Sequence, residues 1–156
     1  MEIRRFCPGD EEVLSGLIRR TLLEVNAADC PAEEIDFLYN KYTPAGVLAL
    51  AGRGHTYVLQ EGEELLGCGT LLPGEKGVCE IAAAFLKPEA IGRGLGRALF
   101  GALESDPLFL GAERVWLTSS VTALRFYEKL GYRYCCGWRG RNAEGLIEME
   151  KQPGKI

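Results

Sequence analysis

The stretch Phe85–Leu99, FLKPEAIGRGLGRAL, constrains the fold of this 156-residue chain more than any other. An apolar segment ends at Lys87-Pro88, glycines follow at 92, 94 and 96, and a helix begins whose Leu95, Ala98, Leu99, Ala102 and Leu103 share one face. Glycine opens backbone angles closed to other residues and lets a ligand approach the main chain. At such a helix N-terminus consecutive amides point the same way and carry partial positive charge, so they can hold a phosphate. The same turn, taken alone, also serves as an ordinary helix cap. Two nucleotide-binding turns are excluded by spacing. Arg97 and Leu99 stand where G-x-G-x-x-G needs its last small residue, and no G-x-x-x-x-G-K-[ST] occurs.

Around this unit the chain reads as alternating elements. IRRF (3–6) is a short strand. Asp10 caps a helix with Val13, Leu14, Leu17, Ile18 and Leu22 at helical spacing, and a second helix runs over Glu33–Tyr42 until Pro44 stops it. HTYVLQ (55–60) and ELLGCGTLL (64–72) form a hairpin through Glu61–Glu63. VCEIAAAFL (78–86) is too short and apolar for periodicity to decide, and its alanines favour helix. ERVWLTS (113–119) is a strand. A helix follows with Ala123, Phe126, Tyr127 and Leu130 on one face, closed by Gly131. YRYCCGWRG (132–140) and LIEMEK (146–151) complete the strands. The expected fold is α/β (α+β), a mixed, mainly antiparallel central sheet with flanking helices, as one domain over 1–156.

Composition removes several function classes. A net charge of −4 argues against nonspecific nucleic-acid binding. Six cysteines contain no C-x-x-C pair and only one histidine, His55, is present, so no metal site and no disulfide framework is expected. Cys79 has no base placed beside it, and Trp116 and Trp138 read as core or groove wall. No apolar run spans a bilayer, and MEIRRFCPGDEE lacks a signal peptide's apolar core; a cytoplasmic location with no membrane partner is expected.

A second segment, LTSSVTALRFYEKLGY (117–132), sharpens the reading. Together the two segments resemble the signature regions of the GCN5-related N-acetyltransferase (GNAT) superfamily. The acyl-CoA loop of that family usually reads Gln/Arg-x-x-Gly-x-Gly/Ala, and its later helix often ends F-Y-E-K-L-G-F/Y, as FYEKLGY does here. The resemblance covers roughly residues 55–150. Two positions depart from it. Ile91 stands where the loop begins with Gln or Arg, which leaves the pyrophosphate to the backbone amides, and Ser120 stands where many members carry an Asn.

The resemblance implies acetyl-CoA as co-substrate, with no metal. Its phosphates would lie at Gly92, Arg93, Gly94, Leu95, Gly96 and Arg97, its pantetheine arm would pair with Ala84, Phe85 and Leu86 between splayed strands, and Ser120 would touch it. Arg93 and Arg97 are alternatively solvated surface charges. Tyr127 has packing enough to explain it, and the resemblance adds a role as acid to the departing thiolate. Glu80, an acid inside an apolar segment, either faces solvent at a strand edge or is the general base that takes the amine's proton. Direct attack by a primary amine in a ternary complex would follow, with an amide near Leu86 facing the oxyanion. A non-catalytic acyl-CoA-binding module and a protein acetyltransferase are the alternatives. The acceptor is a small molecule or a peptide amine, and a homodimer stays open. Asp10–Thr43 holds eight acids against three bases, which suggests a cationic acceptor such as a polyamine, an amino sugar or a lysine-like side chain; a solvated outer face is the alternative.

Overall fold

The computed structural model describes residues 1–153. Within them, seven strands form one sheet: β1 (Glu2–Arg5), β2 (His55–Glu61), β3 (Glu64–Pro73), β4 (Val78–Leu86), β5 (Arg114–Ser119), β6 (Arg133–Tyr134) and β7 (Ile147–Lys151). Their order is β1-β2-β3-β4-β5-β7-β6, antiparallel except for the parallel pair β4–β5. Helices α1 (Glu11–Glu24), α2 (Ala32–Lys41) and α3 (Pro44–Arg53) precede β2. Between β4 and β5 come α4 (Leu95–Glu104) and the single turn α5 (Pro107–Leu110), and α6 (Leu124–Lys129) follows β5.

Alternation along the strands builds two cores on opposite faces. Val58, Leu65 and Leu72 join Leu14, Ile18, Leu22 and Val47 under α1–α3. Their neighbours Leu59, Leu66 and Leu71 join Leu99, Leu103 and Phe109 under α4 and α5. A strand buried on both faces loses the polar alternation of a half-exposed one. VCEIAAAFL is β4, a strand and not a helix: Cys79 and Ile81 are buried in one core, and Ala82, Ala83 and Phe85 pack partly buried against the other, so apolar residues occupy both faces and give no clear period. Cys79 and Ile81 enter the α4 core, so Glu80 points to the α1–α3 side.

The feature that makes a site is the separation of β4 from β5. They pair only over Val78–Glu80 with Arg114–Trp116, whereas β5 stays paired with β7 as far as Ser119–Ile147. Just beyond the last shared pair, the β3–β4 register shifts between Cys68 and Thr70, and Ala83 takes φ +53°. That bulge bends β4 away from its neighbour and leaves a wedge with no strand on the β5 side of Ile81–Leu86.

Three boundaries differ from the sequence expectation. Pro44 does not only stop a helix; it is the first residue of α3, capped by Thr43 Oγ1, which accepts from Gly46 N at 3.0 Å. α5 was masked by its brevity. The expected strand 132–140 is cut to Arg133–Tyr134 because Cys136 turns the chain at φ +53°.

Candidate active site

The wedge opens into a groove of about 520 Å³. Ala84, Phe85 and Leu86 of β4 form one wall; Phe126, Tyr127 and Lys129 of α6 form another; Gly92, Gly94, Gly96 and Arg97 lie at its end. Gly92 (φ +87°) and Gly94 (φ +78°) sit in the left-handed region, and no atom lies within 4 Å of where a β-carbon would stand at either. The space above these amides is therefore open, and the ten-residue α4 starts immediately after Gly94. Gly96 is small for another reason: a β-carbon there would stand 3.1 Å from the Phe126 ring. The cradle fits a pyrophosphate bound by backbone amides.

Of the residues expected at the donor, two point their side chains elsewhere, which leaves them their backbone amides. Arg93 is exposed and pairs with Glu61 at 3.1 Å, and the Leu95 side chain is buried in the core. Ile91 lines the groove and is half exposed. Sequence reasoning missed Thr21, Asn26, Asp29, Thr122 and Lys129, which also line it. Thr21 Oγ1 donates to Leu86 O at 2.9 Å, tying α1 to the end of β4. Asp29 accepts from both Thr122 N (3.1 Å) and Thr122 Oγ1 (2.7 Å), holding the α1 side to the turn before α6. Lys129 belongs to FYEKLGY and was legible as a charge at a helix end; the others carry no local signal.

A second cavity, about 440 Å³, lies on the α1–α3 side. It shares Asn26, Ala84, Phe85, Ser120, Ala123 and Tyr127 with the groove, so the two meet beside the bulge. Its floor is the sheet: Glu80, Trp116, Thr118 and Glu148 occupy one face by register. Glu34, Phe37, Leu38 and Lys41 form one stripe of α2 along its side, and Asn142, Glu144 and Leu146 close it from the loop before β7. Four carboxylates thus face one lysine. Of the eight acids in Asp10–Thr43, only Glu34 lies in this lining. Asp10 is bound to Arg4, Glu24 to Arg20, and Asp29 to Thr122.

Tyr127 stands at the junction of both cavities. Its ring is fixed by edge contacts to Phe100 (5.4 Å), Phe126 (5.2 Å) and Tyr132 (6.0 Å). The side chain is 9% exposed, and its hydroxyl has no hydrogen-bond partner among the described residues. Burial pushes its pKa up to about 12, so the phenol remains a proton donor. Burial also raises the Glu80 carboxyl above the usual carboxylate range, while Lys41 and Arg53 oppose the shift. Ser120 Oγ accepts from Ala123 N at 3.2 Å and helps start α6. No group of three or more potential metal ligands exists among the described residues, and no described helix is long and apolar enough to cross a membrane.

Comparison with known proteins agrees with this geometry. The sequence profile of the Acetyltransferase (GNAT) family matches residues 19–132. A PaiA N-acetyltransferase from Thermoplasma acidophilum, solved in complex with coenzyme A, superposes with a TM-score of 0.81 at 21% identity, covering 97% of this chain and 98% of that one. An aminoglycoside 6'-N-acetyltransferase from Enterococcus faecium gives 0.74 at 18% identity, covering 97% of each chain. An aminoglycoside 6'-N-acetyltransferase complexed with coenzyme A gives 0.75 at 19%, again covering 97% of each. A comparison with curated protein sequences finds no match. The profile spans well over half of the sequence and takes in the cradle, the wedge and Tyr127: the chain belongs to the GNAT family of acetyltransferases, enzymes that draw their acetyl group from acetyl-CoA.

Proposed function

We propose that the chain, as one domain, transfers an acetyl group from acetyl-CoA to a primary amine on a small, positively charged acceptor. The observation that carries this reading is the meeting of an amide-lined groove and a carboxylate-lined cavity at Tyr127. The amides at Gly92–Gly96, with Arg97 and Lys129, hold the donor's phosphates, and the unpaired side of Ala84–Leu86 takes its pantetheine arm. Ser120 borders the reacting end.

Chemistry follows from the placement of two proton carriers. An ammonium must lose a proton before it can attack a thioester. Glu80, with its raised pKa, accepts that proton directly or through water. The free amine then forms the C–N bond while the C–S bond breaks. An amide near Leu86 faces the carbonyl oxygen as charge develops on it. Tyr127 gives its proton to the departing thiolate and regains one as the acylated nitrogen sheds its second proton through water, and Glu80 returns the first to solvent. Because the amine attacks the thioester directly in this reading, both reactants are bound together.

A cavity walled by α2 and the loop before β7 suits a compact acceptor better than an extended peptide. Its carboxylates raise the local concentration of cations, an attraction that salt screens. The test is acetylation of cationic, neutral and anionic amines of similar size, at low and high ionic strength. Preference for cations, weakening with salt, is expected; preference for neutral or anionic amines, or indifference to salt, refutes the acceptor class.

A further inference from the structure

Tyr42, the C-terminal cap of α2, lines the second cavity but not the groove, whereas Tyr127 lines both. It is 5% exposed and belongs to the α1–α3 core with Cys68, against which Ala82, Ala83 and Phe85 of β4 also pack. Three contacts fix it. Its carbonyl accepts from Ser15 Oγ at 2.6 Å, its ring meets Phe85 edge-on with centroids 5.7 Å apart, and Lys41 Nζ lies 5.4 Å from the ring centre. Every fully buried side-chain oxygen among the described residues has a hydrogen-bond partner. The Tyr42 hydroxyl bonds no described residue, so it reaches the space of the cavity that the residue lines. Burial raises its pKa, and the nearby Cys68, Glu80 and Glu34 raise it further, so the phenol stays protonated. Cys68 Sγ lies 3.4 Å from Ala83 O, at the bulge, and Glu80 precedes the bulge on the same strand. The hydroxyl therefore faces the stretch of β4 where the two cavities meet.

A primary ammonium carries three protons. One goes to Glu80 before attack, one is shed as the amide forms, and the third stays on the nitrogen of the product. The lone pair points at the thioester only if that third N–H is held on the side away from the donor. Glu80 has by then become a carboxylic acid, a weaker acceptor. A phenol oxygen accepts a hydrogen bond without taking the proton. We propose that Tyr42 orients the attacking amine: its oxygen accepts the N–H that the amide product keeps, while Glu80 takes the first proton that leaves and Tyr127 serves the thiolate. No bond is made or broken at Tyr42. This rests on the acetyltransferase reading above and adds a residue that selects primary over secondary amines. An N-methyl ammonium has two protons, loses both, and has no N–H left for Tyr42.

The experiment measures kcat/KM for n-butylamine, glucosamine and Nα-acetyl-lysinamide, each against the counterpart methylated on the reacting nitrogen, in the wild type and in Tyr42→Phe under saturating acetyl-CoA. Phe keeps the ring and removes only the hydroxyl. The primary amines should lose about tenfold in kcat/KM, the effect of one hydrogen bond. Their N-methyl counterparts should lose little, so the ratio of primary to secondary should fall by about tenfold as well. Acetyl-CoA affinity should hold, since Tyr42 does not line the groove, and the melting temperature should hold, since no described residue bonds the hydroxyl. A purely structural role would lower the melting temperature or slow both members of each pair alike. Unchanged kcat/KM for the primary amines, or an unchanged ratio, overturns the role of Tyr42 while acetylation by the wild type upholds the parent reading. If acetyl-CoA binds but the wild type acetylates no amine of the panel, the parent reading fails and this proposal with it.

Discussion

Desolvation raises the pKa of Tyr127 and of Glu80 alike, and the two groups gain opposite abilities from it. A phenol held protonated stays a donor, and a carboxylate made more basic becomes a better acceptor. Tyr127→Phe keeps the aromatic contacts and removes only the hydroxyl. The rate should fall about 10- to 1000-fold, with the melting temperature unchanged, because no described residue bonds that hydroxyl. Unchanged turnover would return Tyr127 to the core. Glu80 must be ionised to act, so activity should fall as pH drops through its raised pKa. Glu80→Gln should cost most between the raised Glu80 pKa and about pH 7, where the acceptor is an ammonium and Glu80 is ionised, and less below that pKa, where the wild-type carboxyl is protonated too. A rate ratio to wild type that is flat across pH would remove Glu80 as base. FYEKLGY made Tyr127 legible in sequence. The roles of Thr21 and Asp29 were not, because their partners Leu86 and Thr122 lie 65 and 93 residues away along the chain.

Among the elements, the turn into α4 and the bulge in β4 matter most. Gly94→Val places a branched side chain at φ +78°, a left-handed angle that costs about 1–3 kcal/mol in a non-glycine residue, and fills the open space above the amides. Donor affinity should fall by at least about tenfold. Gly96→Val should in addition press on Phe126 and lower the melting temperature, a distinction that equilibrium unfolding of the two variants measures. Away from the site, Asp106 caps α5 by accepting from Leu108 N at 2.8 Å and also accepts from Tyr57 Oη at 2.5 Å, with His55 Nδ1 2.9 Å from its carboxylate. These bonds hold its carboxyl below its ordinary value against the opposing effect of burial. Its contribution is complete above the unfolded pKa and is lost as pH falls through the folded one. Asp106→Ala should destabilise by about 2–3 kcal/mol at neutral pH and by progressively less in acid; a constant difference would show that the charge is not involved. The glycine turn, the hairpin and α4 were legible because each carries a local signal. β4 was not, since apolar residues pack on both of its faces and the run Ala82–Ala84, which lines the second cavity, has a helix former's composition. α3 was hidden by Pro44, which reads equally well as a stop and as a start.

At the scale of the molecule, charge is unevenly placed. Arg97 and Lys129 lie on the groove with one acid, Asp29, and Glu34, Glu80, Glu144 and Glu148 on the cavity with one base, Lys41, although the chain as a whole carries only −4. The acidic excess of Asp10–Thr43 was visible in sequence, but the carboxylates that line the second cavity are gathered from α2, β4, β7 and the loop before it, which only the fold brings together. Mass action gives a first check, since a ligand at a hundred times its Kd adds about 2.7 kcal/mol to the folded state; saturating acetyl-CoA should raise the melting temperature accordingly. The most direct measurement is a calorimetric titration of acetyl-CoA into the wild type, Gly94→Val and Tyr127→Phe. Saturable one-site binding that Gly94→Val weakens and Tyr127→Phe preserves is the expected result. No heat of binding to the wild type, or equal binding to Gly94→Val, would contradict a donor held by the amides of the Gly92–Gly96 turn.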